Sequence, residues 1–162
     1  MPAPDIRRVV TGHNSEGLAV IASDRLLDEP SKFGRVIWST DTSPVDNTDP
    51  TDGAERTVGV TAKGGTVFRI GELEPGHRSP MHRTNSMDYA IVLGGELGLE
   101  LDSGEQTRLK TGDVVVQRGT NHIWFNNTDK PVVVAWILID AEPVKIGDQV
   151  LEPTPLHRPS DS

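Results

Sequence analysis

The feature that most constrains this chain is a series of short apolar stretches of strand length, separated by turn residues at spacings of roughly ten residues. The series begins near residue 56, and its turn signals include Lys63-Gly64-Gly65 and Asp102-Ser103-Gly104. Intervals this short favour strands over helices, so the pattern predicts an all-β sandwich or barrel. The predicted strands are Thr66 to Leu73, Tyr89 to Leu93, Glu96 to Leu101, Glu105 to Lys110, Val114 to Gln117, His122 to Phe125 and Val132 to Ile139.

The stretch from Glu96 to Leu101 shows the clearest alternation in the chain. Leu97, Leu99 and Leu101 alternate with glutamates and a glycine. Successive side chains of a strand point to opposite faces of its sheet, so these leucines should face the core.

The chain has 162 residues, a length that corresponds to one domain at about 150 residues per domain. We predict a single domain over 1–162 with N-terminal strands in 6–40, an acidic loop at 39–54, a barrel core at about 56–140 and a C-terminal tail at 141–162. The strand-like pieces in 6–40 should extend the sheets of the core, and Asp24 to Leu27 suggests a short helix. Residues after Glu152, rich in Pro and Ser, should fray or lie over the surface.

The acidic loop invites a calcium interpretation because it contains four aspartates. Its prolines, Pro44 and Pro50, and the lack of a terminal Glu depart from an EF-hand loop. We therefore expect a solvated loop.

Net charge and cysteine content narrow the classes of partner. The formal charge is −8 at pH 7, with no basic stripe, which argues against nucleic acid or an anionic membrane as a partner. Cysteine is absent, so a thiolate nucleophile is excluded and any metal site must use His and carboxylate ligands. The sequence also lacks the apolar stretch of a signal peptide, and its longest apolar run, Val132 to Ile139, is too short to span a bilayer. We predict a cytoplasmic protein with a small-molecule substrate.

Two clusters carry the functional argument, one in residues 75–89 and one in residues 112–126. Each lies beside a predicted strand and is bracketed by turn residues. Together they hold three of the five histidines, His77, His82 and His122, and the carboxylate Asp88.

The two clusters resemble the paired motifs of the cupin superfamily. The first cupin motif has a Gly, His-x-His, three or four residues, a Glu and a closing Gly; the second has a Gly, a Pro-x-Gly turn, a His, three residues and an Asn. His82 matches the first His, Asp88 stands at the Glu position and Gly94 or Gly95 closes the first motif, while the second is matched by Gly112, Gly119, His122 and Asn126. The chain departs from the pattern at Thr84, which replaces the second His, and at Arg118, which replaces the Pro in a turn one residue shorter.

The resemblance spans residues 64–140 and implies a cupin double-stranded β-helix, or jelly-roll barrel, of the single-domain type-2 kind. It implies small-molecule chemistry of the kind found in secondary metabolism. It also implies a homodimer, which the N-terminal strands would allow.

The resemblance further implies a site at His82, Asp88 and His122, and two forms of that site stay open. In one, these three side chains hold a divalent ion, Fe, Mn, Zn or Ni, since two His and one carboxylate form a ligand set known from non-heme iron enzymes. In the other, the site is metal-free and the same residues act as an acid and base pair, with the carboxylate pKa raised by desolvation and lowered by a neighbouring imidazole. His77 could replace the imidazole lost at Thr84.

Four further residues are candidates for substrate binding, namely Trp124, Gln117, Arg83 and Thr84. Trp124 lies two residues after His122 and should share its face of the strand. Arg83, and Arg78 near it, could orient an anionic substrate, although solvated arginines are the more common case. Tyr89 should point to the opposite face from Asp88.

The preferred function is that of a lyase or isomerase, such as a dehydratase, decarboxylase or cyclase, acting on a carbonyl-bearing or aromatic metabolite through proton transfer. A non-heme iron dioxygenase or related oxidoreductase is the second hypothesis. The third is a ligand-binding cupin without turnover, in which Thr84 and Asp88 mark a decayed metal site.

Overall fold

The computed structural model describes residues 5–27, 34–154 and 156. These residues contain β-strands and no helix. The strands are β1 (Ile6–His13), β2 (Ala19–Leu27), β3 (Arg35–Thr40), β4 (Thr66–Leu73), β5 (Ser86–Gly94), β6 (Glu96–Leu101), β7 (Gln106–Lys110), β8 (Val114–Arg118), β9 (His122–Phe125), β10 (Val132–Asp140), β11 (Lys145–Ile146) and β12 (Gln149–Val150). The all-β prediction is confirmed.

Two antiparallel sheets form the body of the fold. One has five strands in the order β3-β4-β10-β5-β8, and the other has three in the order β7-β6-β9. Buried apolar side chains from both sheets form one core cluster, which includes Val92 and Val134 from the larger sheet and Leu97 and Trp124 from the smaller. The two sheets therefore enclose a common interior.

Strand β6 has the inward leucines that its alternation predicts. Leu97 and Leu99 are buried and Leu101 is partly buried. Gly98, between them, is also buried because the ring of Phe125 covers it; a Cβ atom added at Gly98 would lie 2.1 Å from Phe125 Cε2. Glycine is required here by a close approach and not by backbone conformation.

The N-terminal strands depart from the prediction in two ways. Residues 24–27 belong to β2 and not to a helix, because they pair with β1, with Val9 opposite Asp24. An ion pair between Arg7 and Asp24, at 2.6 Å, adds to this pairing. The hairpin β1-β2 forms a sheet of its own, whereas β3 joins the larger sheet beside β4 as predicted.

The acidic loop uses its carboxylates in ion pairs within the chain. Arg56 contacts Asp41 at 2.7 Å and Asp49 at 2.6 Å. The buried Arg8 donates from Nη1 to Asp52 Oδ1 at 2.6 Å. Asp41, Asp49 and Asp52 therefore have arginine partners within the chain.

The outward face of β5 and β8 is apolar. Tyr89, Val114 and Val116 are 42%, 65% and 56% exposed, and Tyr89 lies opposite Val116 in the register. Tyr89 thus points away from the interior, as predicted.

The C-terminal tail returns to the barrel. Thr154 exchanges backbone hydrogen bonds with Arg83, at 2.9 and 3.3 Å. Of the segment expected to fray, residues 155 and 157–162 lie outside the described residues. No helix in the described part of the chain is long and apolar enough to cross a membrane.

Candidate active site

A cavity of about 710 Å³ lies between the two sheets. Its size falls within the range of small-molecule sites, about 300 to 1,000 Å³. One wall comes from the larger sheet and carries Asp88 from β5 and Trp136 from β10. The other comes from the segment before β5 and from β9, and carries His82 and His122. The three residues singled out by the cupin motifs therefore line the same cavity.

His82 and His122 lie side by side although 39 residues separate them in the chain. Their backbones exchange hydrogen bonds of 3.0 and 2.9 Å, and their ring centroids are 4.2 Å apart. This isolated β-bridge brings the first motif against the second.

Both imidazoles are held in the same way. His82 Nδ1 lies 2.9 Å from the carbonyl oxygen of Pro80, and His122 Nδ1 lies 2.9 Å from that of Thr120. A carbonyl oxygen can only accept, so Nδ1 carries the proton in each ring and the neutral ring keeps its lone pair on Nε2. Each imidazole is thus oriented as a hydrogen-bond acceptor or a metal ligand.

Burial keeps both rings neutral. It lowers the pKa of His82, and the backbone hydrogen bond to Pro80 offsets this only in part. Burial, together with the positive charge His82 would carry, lowers the pKa of His122 to about 4. At neutral pH the pair is therefore uncharged.

Asp88 ends a chain of hydrogen bonds along one face of its strand. Ser86 Oγ donates to Asp88 Oδ1 at 2.6 Å, and Thr84 Oγ1 lies 2.7 Å from Ser86 Oγ. A hydroxyl has one proton to donate, so when Ser86 donates to Asp88 the Thr84 hydroxyl must donate to Ser86. The spacing i, i+2, i+4 puts the three side chains on one face, and it links the cavity-lining Thr84 to the carboxylate.

The pKa of Asp88 is raised to about 6, because burial disfavours the carboxylate and the hydrogen bond from Ser86 compensates only in part. Desolvation acts as predicted. The group that lowers the pKa of Asp88 is the Ser86 hydroxyl, whereas the sequence suggested an imidazole. The carboxyl changes its ionisation near neutral pH, as a general base requires.

The predicted ligand set of His82, Asp88 and His122 does not assemble around one point. Among the described residues, no three His, Asp or Glu side chains lie close enough together to hold one ion. The two imidazoles are tethered as metal-bound histidines usually are, but Asp88 is bound to Ser86 and a threonine stands where the cupin motif has its second His. The residues present do not fit a three-ligand metal site, and His77, which lines the cavity, does not complete one.

Two of the four predicted substrate-binding residues line the cavity, Trp124 and Thr84. Trp124 does share the face of His122, whose ring it meets edge-on at 5.2 Å. It also approaches Trp136 at 6.5 Å, so two indoles from opposite sheets bound the cavity.

Gln117 and Arg83 are held elsewhere. Gln117 is buried opposite Asp88 in the register of β5 and β8 and accepts a hydrogen bond from Thr120. Arg83 donates to the carbonyl oxygens of Gly119 at 3.1 Å and Glu152 at 3.3 Å. Neither side chain borders the cavity.

Arg78 borders the cavity but is engaged by other groups. It donates to Glu100 at 2.6 Å and lies over the Phe125 ring. Its guanidinium therefore already has a carboxylate partner.

Asn126 of the second motif has a structural role. Its fully buried amide donates to the carbonyl oxygens of Leu73 at 2.9 Å and Lys130 at 2.8 Å. It fixes the turn between β9 and β10.

Sequence reasoning missed two charged residues of the cavity wall, Arg69 and Glu72 on β4. Arg69 is buried at 5% exposure. A signal was present, because Arg69 occupies the alternating position shared with Val67 and Leu73, which predicts an inward side chain. Glu72 offers no such signal, since it lies out of that alternation at the strand end.

Residues 69–138 match the family model described as "Cupin domain". The chain belongs to the cupin family, and its strands enclose the site that the two cupin motifs define.

Curated fungal proteins extend the likeness over nearly the whole chain. "Phomopsin biosynthesis cluster protein C'" of Diaporthe leptostromiformis is 37% identical over 92% of this chain and 87% of its own length. "Cupin-domain-containing oxidoreductase virC" of Hypocrea virens is 38% identical over 91% of this chain and 84% of its own. "Cupin-domain-containing oxidoreductase fogC" of Aspergillus ruber is 35% identical over 90% and 77%.

Proposed function

We propose that this cupin is an enzyme of secondary metabolism that transfers a proton within a small carbonyl-bearing or aromatic substrate, as a lyase or isomerase does. The relatives named for biosynthesis clusters support the metabolic setting. The main support for proton transfer is the position of the Asp88 carboxyl, which is buried on the cavity wall and linked through Ser86 to Thr84.

Asp88 acts as the base. A pKa of about 6 leaves the carboxyl mostly ionised at pH 7 while keeping it far more basic than an ordinary aspartate. It takes a proton from a carbon next to a carbonyl group, directly or through the hydroxyls of Ser86 and Thr84. Returning that proton to another atom of the substrate completes an isomerisation, and losing a leaving group completes an elimination.

The imidazole pair receives the substrate. With Nδ1–H committed to backbone carbonyls, Nε2 of His82 and of His122 can accept hydrogen bonds from a hydroxyl or an enol of the substrate. The indoles of Trp124 and Trp136 provide apolar walls for an aromatic or unsaturated part.

Hydrogen–deuterium exchange into model carbonyl compounds tests the reaction type directly. The protein is incubated in D₂O with a panel of 1,3-diketones, aryl ketones and β-keto acids, and deuterium uptake is followed by mass spectrometry. We expect wild-type protein to accelerate exchange of at least one compound class. Replacing Asp88 by Asn should slow that exchange by about 100-fold or more, whereas Asp129→Asn, at an exposed site, should leave it unchanged.

Ser86→Ala gives a second readout. Because the Ser86 hydroxyl lowers the pKa of Asp88, its loss should move the midpoint of the pH–rate profile to higher pH. No exchange across the whole panel, or equal rates in wild-type and Asp88→Asn protein, would refute the proposal.

An oxidoreductase is the second candidate, favoured by the names of several relatives and by the tethering of the imidazole pair. Metal content is its test. On the oxidoreductase hypothesis, protein purified without chelator and equilibrated with Fe(II), Mn(II) or Zn(II) would retain close to one equivalent of metal, and the double variant His82→Ala/His122→Ala would retain none; proton transfer by Asp88 requires no metal. A protein that holds no metal and leaves every bound compound unaltered would instead be a ligand-binding cupin.

A further inference from the structure

The cavity wall contains a buried arginine, Arg69, that has no carboxylate partner among the described residues. Arg69 is 5% exposed and lines the cavity from β4. In the described part of the chain, its hydrogen bonds go from Nη2 to the backbone carbonyls of Gly59 and, at 3.4 Å, Val60. No described carboxylate lies within 4.0 Å of it.

A second unpaired donor lies beside it. Trp136 is the direct cross-strand neighbour of Arg69 between β10 and β4. Nε of Arg69 and Nε1 of Trp136 are both buried without a hydrogen-bond partner among the described residues. Buried polar groups are normally satisfied, and a buried guanidinium normally has an anion. Arg69 and Trp136 thus present, on neighbouring strands of the cavity wall, two donors that the acceptor atoms of a ligand could satisfy.

We propose that Arg69 binds a carboxylate group of the substrate, so that the enzyme acts on small aromatic or unsaturated carboxylic acids. Guanidinium groups suit this role because they donate two parallel hydrogen bonds to a carboxylate. The indoles of Trp124 and Trp136, 6.5 Å apart, supply apolar surface for the rest of the ligand. This inference rests on the proposed function, since it names the substrate class for the same cavity.

Arg69 is a better partner for a ligand anion than the two other arginines of this region. Arg78 is paired with Glu100 at 2.6 Å, and Arg83 lies 3.8 Å from Asp102, so each already has a carboxylate partner within the chain. Burial lowers the pKa of Arg69, and an opposite charge beside the guanidinium would offset this effect. A bound carboxylate would provide that charge.

Ligand binding is measured with probes that are not turned over. Benzoate, and benzamide as its neutral counterpart, are titrated by calorimetry and by tryptophan fluorescence, which two cavity indoles should report. We expect benzoate to bind about 10- to 100-fold more tightly than benzamide, the range for hydrogen bonds to a charged group. Wild-type protein that binds the two equally, or binds neither, would overturn the proposal.

Substitutions at Arg69 test whether this residue causes the preference for benzoate over benzamide. Arg69→Gln should abolish the preference for benzoate while leaving the benzamide affinity in place, and Arg69→Lys should retain part of it. Arg108→Gln is the matched control, because Arg108 is 64% exposed and paired with Glu96 outside the cavity. If Arg69→Gln fails to fold, the Arg69→Lys variant and the wild-type comparison still decide. Unchanged discrimination in Arg69→Lys and Arg69→Gln would place the anion elsewhere and refute the assignment.

Failure of this inference differs from failure of the proposed function. Binding of benzoate through Arg69 without any Asp88-dependent exchange would leave the anion site standing and remove proton transfer. Asp88-dependent exchange of neutral ketones, with no preference for benzoate, would support proton transfer and remove the anion site.

Discussion

Replacing Asp88 by Asn should stabilise the fold, and the gain should grow with pH. In the folded protein the pKa of Asp88 is about 6, against an ordinary value of 3.8. Between these two values the folded state holds a proton that the unfolded chain has lost, so stability is fully present below pH 3.8 and falls as pH rises through 6. At about 1.4 kcal/mol per pKa unit, the loss amounts to about 3 kcal/mol by pH 8.

Asparagine keeps the shape of the side chain and an oxygen that can accept from Ser86, but it does not ionise. The free energy of unfolding of Asp88→Asn relative to wild type should therefore rise by about 2.4 kcal/mol between pH 4 and pH 8, because part of the total difference is already present at pH 4. For a chain of this length that corresponds to a rise of roughly 5 to 10 °C in relative Tm. Titration of every other group is common to the two proteins and cancels in the comparison.

Thermal unfolding at pH 4, 5, 6, 7 and 8, followed by calorimetry, measures this difference directly. Asp129→Asn, at an exposed site, is measured alongside as the control for the loss of one carboxyl group. A difference between Asp88→Asn and wild type that is also flat from pH 4 to 8 would refute the claim that burial raises the carboxyl pKa.

Three further predictions concern other parts of the fold. His122→Gln should reduce the loss of stability between pH 6.5 and pH 4. In the folded protein the pKa of His122 is about 4, so over this range the unfolded chain takes up a proton that the folded protein does not. Denaturant titrations at the two pH values measure the difference. Gly98→Ala should cost about 1 to 3 kcal/mol through the clash with Phe125, whereas Gly94→Ala, with no atom within 4 Å of its added Cβ, should cost less in the same melts. A homodimer remains our expectation, and Val116→Lys on the exposed face of β5 and β8 should shift its sedimentation equilibrium toward monomer.

The sequence predicted the core strands well because their alternation and turn chemistry are local properties. Thr66 to Leu73 and His122 to Phe125 match their strands at both ends, since each is bounded by turn residues. The error at Asp24 to Leu27 has a different origin. These four residues have only a weak helical preference. Their pairing with β1 overrides it. That pairing cannot be read from a window of four residues.

The same distinction between local pattern and tertiary contact applies to the residues of the site. Motif spacing brought His82, Asp88 and His122 to one cavity, but it could not say how the side chains are oriented. The hydrogen bond from Ser86 to Asp88 and the hydrogen bonds from the imidazoles to backbone carbonyls depend on rotamers and on loop geometry. Arg69 differs, because its place in an alternating strand puts a charge at an inward position, and a buried charge of this kind calls for a partner or a ligand.

The distribution of costly groups is itself an argument for function. Asp88, Arg69 and the imidazole pair are all buried, and burying an ionisable group costs free energy. They are also concentrated around one cavity, while Val92, Leu97 and Val134 fill the adjoining core with apolar side chains. A fold that only needed to be stable would not place an ionisable carboxyl, a guanidinium with no carboxylate within 4.0 Å in the described part of the chain, and two neutral histidines around one cavity. Proteins accept such a cost where binding or chemistry requires it, so the predicted gain in stability of Asp88→Asn and its predicted loss of exchange activity are two measurements of the same arrangement.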